Sequence, residues 1–146
     1  MDRTEQIDSF FDAYAARFNR ALTGSKVDPK EVSESFADYF VEASPQGIIG
    51  GKNGWRFRRM IQRGFSRYRK MGIKSMYIQG KDIVLLDDLH AMCTVRWQSL
   101  YDKPDATTAA INFQVIYILQ TLKSGCKIFA YITGDETAAL KEHGLI

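Results

Sequence analysis

An α+β fold is what this chain predicts, and two observations predict it. Every strong helix pattern lies before Gly72 and nearly every strand pattern lies after it, so three helices are followed by a four-strand antiparallel run. Helices segregated onto one face of an antiparallel sheet bury their apolar stripes against it, and a curved sheet covered on one side encloses a cavity. The layout therefore predicts a curved antiparallel sheet wrapped around three helices, a short C-terminal helix, and a pocket for a small molecule.

The first helix rests on Ile7, Phe10, Phe11, Tyr14, Phe18 and Ala21, which recur at three- and four-residue steps and form one apolar stripe ending near Thr23-Gly24. Asp2, Glu5, Asp8 and Asp12 lie off that stripe in the opening turns, where the helix dipole favours negative charge. Asp28, Pro29 and Glu31 mark a second helix as N-cap, first position and capping-box partner, with Val32, Phe36 and Tyr39 or Phe40 facing the core. Phe40 to Ile49 reads as a short strand interrupted at Pro45. Gly47, Gly50, Gly51 and Gly54 then lead into a third helix from about Asn53 to Met71, with Phe57, Ile61, Phe65 and Tyr68 as its apolar face.

From Lys74 the hydrophobic period changes to two, which places strands at Ser75 to Leu86, Leu89 to Tyr101, Thr108 to Leu122 and Cys126 to Thr133. Their connections, Asp87-Asp88, Asp102 to Asp105 and Lys123 to Gly125, are short and favour antiparallel hairpins over crossovers. Gly80, inside the first of these strands, predicts a bulge that curves the sheet. Thr133 with Glu136 reads as a capping box opening a last helix that stops at His143-Gly144.

A length of 146 residues with 45% hydrophobic content suits one domain, spanning 1–146. The charged opening offers no signal-peptide core, and no apolar run approaches the ~20 residues of a membrane span. A cytoplasmic protein without a membrane partner is the expectation. Cys93 and Cys126 lie in strand-like runs without metal spacing and read as buried thiols. Neither His90 nor His143 has a partner at ligand spacing, so no metal and no other cofactor is expected. No Ser/His/Asp or Cys/His signature stands out. Gly51-Lys52-Asn53 approaches the end of a P-loop, but Asn53 replaces the required Ser or Thr and Gln46 replaces the first glycine. What survives is the idea of an anion held by glycine-rich backbone near Lys52 and Arg56.

The net charge of +3 is unevenly spread, with nine bases and no acid from Lys52 to Lys74. Arg56, Arg59, Arg63, Arg67 and Lys70 form a second stripe on the third helix, able in principle to contact phosphates. The aromatics of that helix fall on its buried stripe, so stacking on bases is not evident. A solvated face, or one paired with Asp28, Glu31, Glu34 and Asp38 within or between subunits, is the preferred reading, and nucleic acid is not an expected partner.

With this order of elements, the chain resembles the cone-shaped α+β superfamily that includes nuclear transport factor two, the SnoaL-like polyketide cyclases, scytalone dehydratase and ketosteroid isomerase. The resemblance rests on Phe11-Asp12-Ala13-Tyr14 in the first helix, Phe36 to Glu42 leading into the first strand, and the hairpin Tyr117 to Tyr131, and it covers almost the whole chain. It implies a nuclear transport factor two-like cone. The superfamily hosts isomerases, cyclases, dehydratases, hydrolases and non-catalytic binding or dimerisation modules, so the fold selects none of them.

The ketosteroid isomerase scheme needs a carboxylate base, a tyrosine and a protonated acid. By the resemblance, Tyr14 takes the place of the oxyanion tyrosine. The base position, just before the proline of the first strand, holds Ser44, which cannot abstract a carbon-bound proton unaided. Glu42, of the same strand parity, is the candidate displaced base, and the position of the protonated acid falls near Tyr117. In the second long strand, Met92, Thr94, Arg96 and Gln98 share one face and Cys93, Val95, Trp97 and Ser99 the other. If the first set faces the helices, Arg96 enters the cavity and binds a carboxylate, phosphate or enolate oxygen; otherwise it lies in solvent or at a dimer interface. Asn112 and Gln114 carry the same ambiguity. Trp55, Met60, Tyr77, Trp97 and Tyr101 are candidates for an aromatic wall.

The sequence thus predicts a homodimer through the outer sheet face. Its candidate catalytic residues are Tyr14, Arg96 and Glu42, and its candidate ligand-binding residues are Phe18, Trp55, Met60, Met92, Thr94, Gln98 and Tyr117. A small-molecule enzyme of SnoaL-like type and a binding module without chemistry both remain open.

Overall fold

The first helix, α1 (Arg3–Thr23), begins on a capping box in which Asp2 Oδ1 accepts from the Glu5 amide at 2.8 Å and Glu5 accepts from the Asp2 amide at 3.3 Å. The computed structural model describes residues 2–24 and 28–145; the ends of the expected 1–146 domain, Met1 and Ile146, lie outside them. The remaining elements are α2 (Pro29–Ser33), β1 (Phe36–Ser44), β2 (Gly47–Lys52), α3 (Trp55–Lys70), β3 (Ile73–Leu85), β4 (His90–Asp102), β5 (Thr108–Leu122), β6 (Gly125–Ile132) and α4 (Glu136–Glu142). The architecture is α+β: one curved, unclosed six-stranded sheet in the order β2-β1-β6-β5-β4-β3, with the helices on its concave side.

Three expectations need correction at the start of the sheet. The second helix stops at Ser33 and does not reach Phe36 or Tyr39, because the four-residue spacing of Phe36 and Phe40 serves a strand as well as a helix. Both rings point inward from β1, each under a tenth exposed. Pro45 does not interrupt one strand but turns a hairpin, in which Ser44 pairs with Gly47 and Gly47 takes a positive φ of 129°. The sheet is also not wholly antiparallel, since β1 lies parallel to β6. The capping partners differ too. Asp28 accepts from the amides of Lys30 and Glu31, while the Glu31 carboxylate pairs with Arg20 at 2.7 Å. Helix α4 is capped by Asp135, not Thr133.

Side chains from α1 tie the helix to the sheet. Asn19 donates to the Met76 carbonyl and accepts from the Met76 amide, both at 2.7 Å, and so serves as a neighbour for the edge of β3. Lys81 on β3 donates to Asp8 and Asp12 at 2.7 and 2.6 Å, and its side chain is only 10% exposed. The register of β3 and β4 slips between Ile78 and Gly80, which is the bulge expected at this glycine. At the other end, Asn53 donates to the carbonyls of Ser33 and Phe36 at 2.8 and 3.2 Å and clamps the start of α3 to β1. The glycine-rich stretch before it is therefore edge strand rather than an anion cradle. One buried cluster, built around Ile7, Phe11, Val95, Trp97, Leu119 and Ile128, joins α1 to the sheet. No described helix is long and apolar enough to cross a membrane.

Candidate functional site

Between the concave face of the sheet, α1, α3 and α4 lies a cavity of about 640 Å³. Alternation decides what enters it. On β4, Ala91, Cys93, Val95, Trp97, Ser99 and Tyr101 are buried, so this set takes the inner face. The opposite set, Met92, Thr94, Arg96 and Gln98, points outward, correcting the placement of all four in the pocket. The reason is energetic: the inner set carries no charge and buries an indole, whereas the outer set would bury a guanidinium. Arg96 instead pairs with Asp82 on β3, and Gln98 donates to Asn112 at 3.1 Å.

Four of the anticipated residues do line the cavity: Tyr14 and Phe18 from α1, Glu42 from β1 and Tyr117 from β5. Trp55 and Met60 do not; they stand on the open side of α3, 61% and 58% exposed. Tyr77 is exposed and Tyr101 is core, so of the supposed aromatic wall only Trp97 lines the cavity. Ser44 is occupied in the turn, where its hydroxyl accepts from the Gln46 amide at 3.2 Å. The sequence reading missed Tyr68, Ser99, Tyr131 and Glu136, all of which also line the cavity. Tyr131 was within reach of it, because Tyr131 pairs with Tyr117 across the last hairpin and so shares its face.

Two polar clusters face the cavity. In the deeper one, Trp97 Nε1 donates to the Tyr117 hydroxyl at 3.3 Å, and the Tyr117 ring lies 6.0 Å from that of Tyr14. Burial pushes Tyr14 up to about 12, which the neighbouring Tyr117 hydroxyl and then Arg17 partly oppose. Burial also raises Tyr117, and the contact with Tyr14 raises it further. Both phenols are therefore held protonated against the cavity. The Ser99 hydroxyl, in a residue only 5% exposed, has no hydrogen-bond partner.

The second cluster lies nearer the mouth. Glu42 is brought beside Tyr131 by the parallel register of β1 and β6, in which the two are direct neighbours. Burial lifts the Glu42 carboxyl above its ordinary range, the Tyr131 hydroxyl opposes this, and Glu136 adds to the rise. Burial and then the Glu42 charge push Tyr131 up, so it stays protonated. Tyr68 donates to Glu136 Oε1 at 2.6 Å. Chemically, the cavity combines a carboxylate with a strengthened hold on protons and a buried phenol held protonated. Among the described residues no group of three or more His, Cys, Asp or Glu side chains is placed to hold a metal ion. Cys93 is buried and pushed up to about 11, mainly by that burial, which leaves the thiol unreactive.

The basic stripe of α3 stays outside this site. Arg56, Arg59, Arg63, Arg67 and Lys70 are exposed, and none joins an ion pair among the described residues.

The family described as NTF2-like protein (DUF6841) matches residues 4–136. The chain belongs to this family. Solved structures agree on the fold. An NTF2-like protein with a cystatin-like fold from Novosphingobium aromaticivorans superposes on the NTF2-like chain with a TM-score of 0.69 at 10% identity, covering 95% of this chain and 86% of that one. An NTF2-like protein of unknown function from Shewanella oneidensis gives 0.66 at 13% identity, over 92% and 100% of the two chains. A ketosteroid isomerase-like protein from Erwinia carotovora gives 0.62 at 16% identity, over 89% and 93%. Identities this low carry the fold alone. No curated protein matches the chain in sequence.

Proposed function

We propose that this NTF2-like chain binds a small, partly apolar molecule in the cone-shaped cavity and catalyses proton transfer on it, as an isomerase, cyclase or lyase would. Glu42 is the base and Tyr14, backed by Tyr117 and Trp97, donates to a carbonyl oxygen that gathers charge. The observation that carries the reading is that Glu42 and Tyr14 line one cavity, the first a carboxylate with a raised affinity for protons and the second a phenol held protonated. Arg96 has no part in it.

The test is solvent deuterium exchange at the α-carbons of a model ketone, 2-tetralone, followed by proton NMR. The wild-type chain accelerates exchange; Glu42→Gln lowers the rate by about 10²–10⁴-fold, and Tyr14→Phe by about 10²–10³-fold. Exchange that survives Glu42→Gln at the wild-type rate overturns the assignment. Binding of 2-tetralone without exchange favours the rival reading, a binding module without chemistry. That rival draws on the pairing of Tyr68 with Glu136 and of Tyr131 with Glu42, which leaves few cavity groups unoccupied.

The molecule works as a homodimer through the outer sheet face. Supporting this, Met92, Ile118 and Ala130 lie side by side in register across β4, β5 and β6 and make an apolar centre to that face.

A further inference from the structure

Charge is distributed in the cavity in one sense only. Its described lining contains Glu42, Asp135 and Glu136 and no lysine, arginine or histidine. Two cations act on its tyrosines from outside the lining: Arg17, which donates to Ser35 Oγ at 2.7 Å, lies near Tyr14, and Arg67, exposed on α3, lies near Tyr68. Glu136 acts on Glu42 as a like charge, and neither joins an ion pair among the described residues. Around them stand Phe18, Phe36, Tyr68, Trp97, Phe113 and Tyr131, an aromatic wall, and the faces of such rings attract a cation most strongly where water is excluded. An anion entering here would face carboxylates and ring faces of the same sign. Independently, the unpartnered hydroxyl of Ser99, on the inner face beside Trp97, calls for a polar atom supplied by whatever fills the cavity.

We infer that the ligand of this cavity is an organic ammonium with an apolar body and one neutral hydrogen-bonding group, its cation held by the aromatic wall and by Glu42 and Glu136. The inference rests on the cavity being the ligand site, as proposed above, and adds the charge of the ligand. A cation beside Glu136 also favours the ionised form of Glu42, as a base requires.

The experiment compares three benzyl probes on the full chain: benzyltrimethylammonium, its uncharged carbon isostere neopentylbenzene, and the smaller anion phenylacetate. Binding is read from the Trp97 indole N–H resonance, assigned by Trp55→Phe. The expected result is that the ammonium binds at least tenfold more tightly than neopentylbenzene and that phenylacetate binds most weakly. Combining Glu42→Gln with Glu136→Gln should lower the ammonium's preference over the isostere by about threefold or more, leaving the part contributed by the aromatic wall. Equal or tighter binding of neopentylbenzene or phenylacetate overturns the inference. So does an unchanged preference in the double variant, or a Trp97 resonance that none of the three probes moves. Exchange of 2-tetralone without ammonium preference leaves the proton-transfer reading standing and removes only this one; ammonium preference without exchange does the reverse.

Discussion

Glu42 is where burial, hydrogen bonding and like charge meet on one side chain, and their balance sets a pH dependence of definite sign. Its carboxyl pKa is raised in the folded chain, by burial first, so the native state binds its proton more tightly than the unfolded state does. Stability contributed by this group is therefore highest below the ordinary glutamate range and falls as pH rises to the native pKa. Glu42→Gln removes the dependence: the variant should match the wild type in urea denaturation at low pH and exceed it at neutral pH. A variant less stable at neutral pH than at low pH, relative to wild type, would contradict the sign. In the exchange assay the same shift moves the rising limb of the rate profile above the usual carboxylate range, and Tyr14, pushed up to about 12, adds no falling limb below that. At this scale Tyr14 and Phe18 were legible as cavity lining because both lie on the apolar stripe of the first helix, whereas Glu42 was reached through strand parity and Tyr117 through the family resemblance. Arg96, Met92, Thr94 and Gln98 were misplaced because alternation fixes which residues share a face but not which face is inside. The uncharged run Ala91, Cys93, Val95 and Trp97 was the signal that decides it.

Among the elements, β3 to β6 fall within a few residues of where period-two patterning and short turns place them, since both signals are local. The boundary between α2 and β1 did not emerge in the same way, because Val32, Phe36 and Phe40 are spaced by four and fit either period. What fixes that boundary is tertiary: Asn53 clamps it from α3, and the Phe40 ring packs 4.3 Å from Phe57. The β1–β2 hairpin that results is tight at one point. A Cβ at Gly50 would meet the carbonyl of Phe40, a backbone atom that cannot swing aside, whereas one at Gly80 would meet the guanidinium of Arg96, the end of a flexible chain. Gly50→Ala should therefore cost about 1–3 kcal/mol, seen as lost hydrogen-exchange protection across β1 and β2. Gly80→Ala should change stability by less than about 1 kcal/mol, the worth of an exposed ion pair. Equal effects of the two would show that close backbone approach does not govern the hairpin.

For the whole molecule, the outer face of the sheet makes its own prediction. Ile118 sits at its centre, between Met92 and Ala130. Ile118→Glu should convert a dimer to a monomer in sedimentation equilibrium while the far-ultraviolet circular dichroism stays native; a wild-type chain that sediments as a monomer removes the dimer from the account. The parallel pairing of β1 with β6 has a consequence in time as well as in space. It joins Phe36 to Ile128 and Glu42 to Tyr131, partners about ninety residues apart, and no short turn assists it. The hairpins of β3 to β6 close small loops and can form early, whereas β1 must wait for a finished β6 before it finds its place. Tyr14, Trp97 and Tyr117 can be assembled by then, and Glu42 arrives last. On a growing or refolding chain the cavity would therefore be completed only by this last long-range closure, which adds Phe36 and the proposed base Glu42 to its lining together.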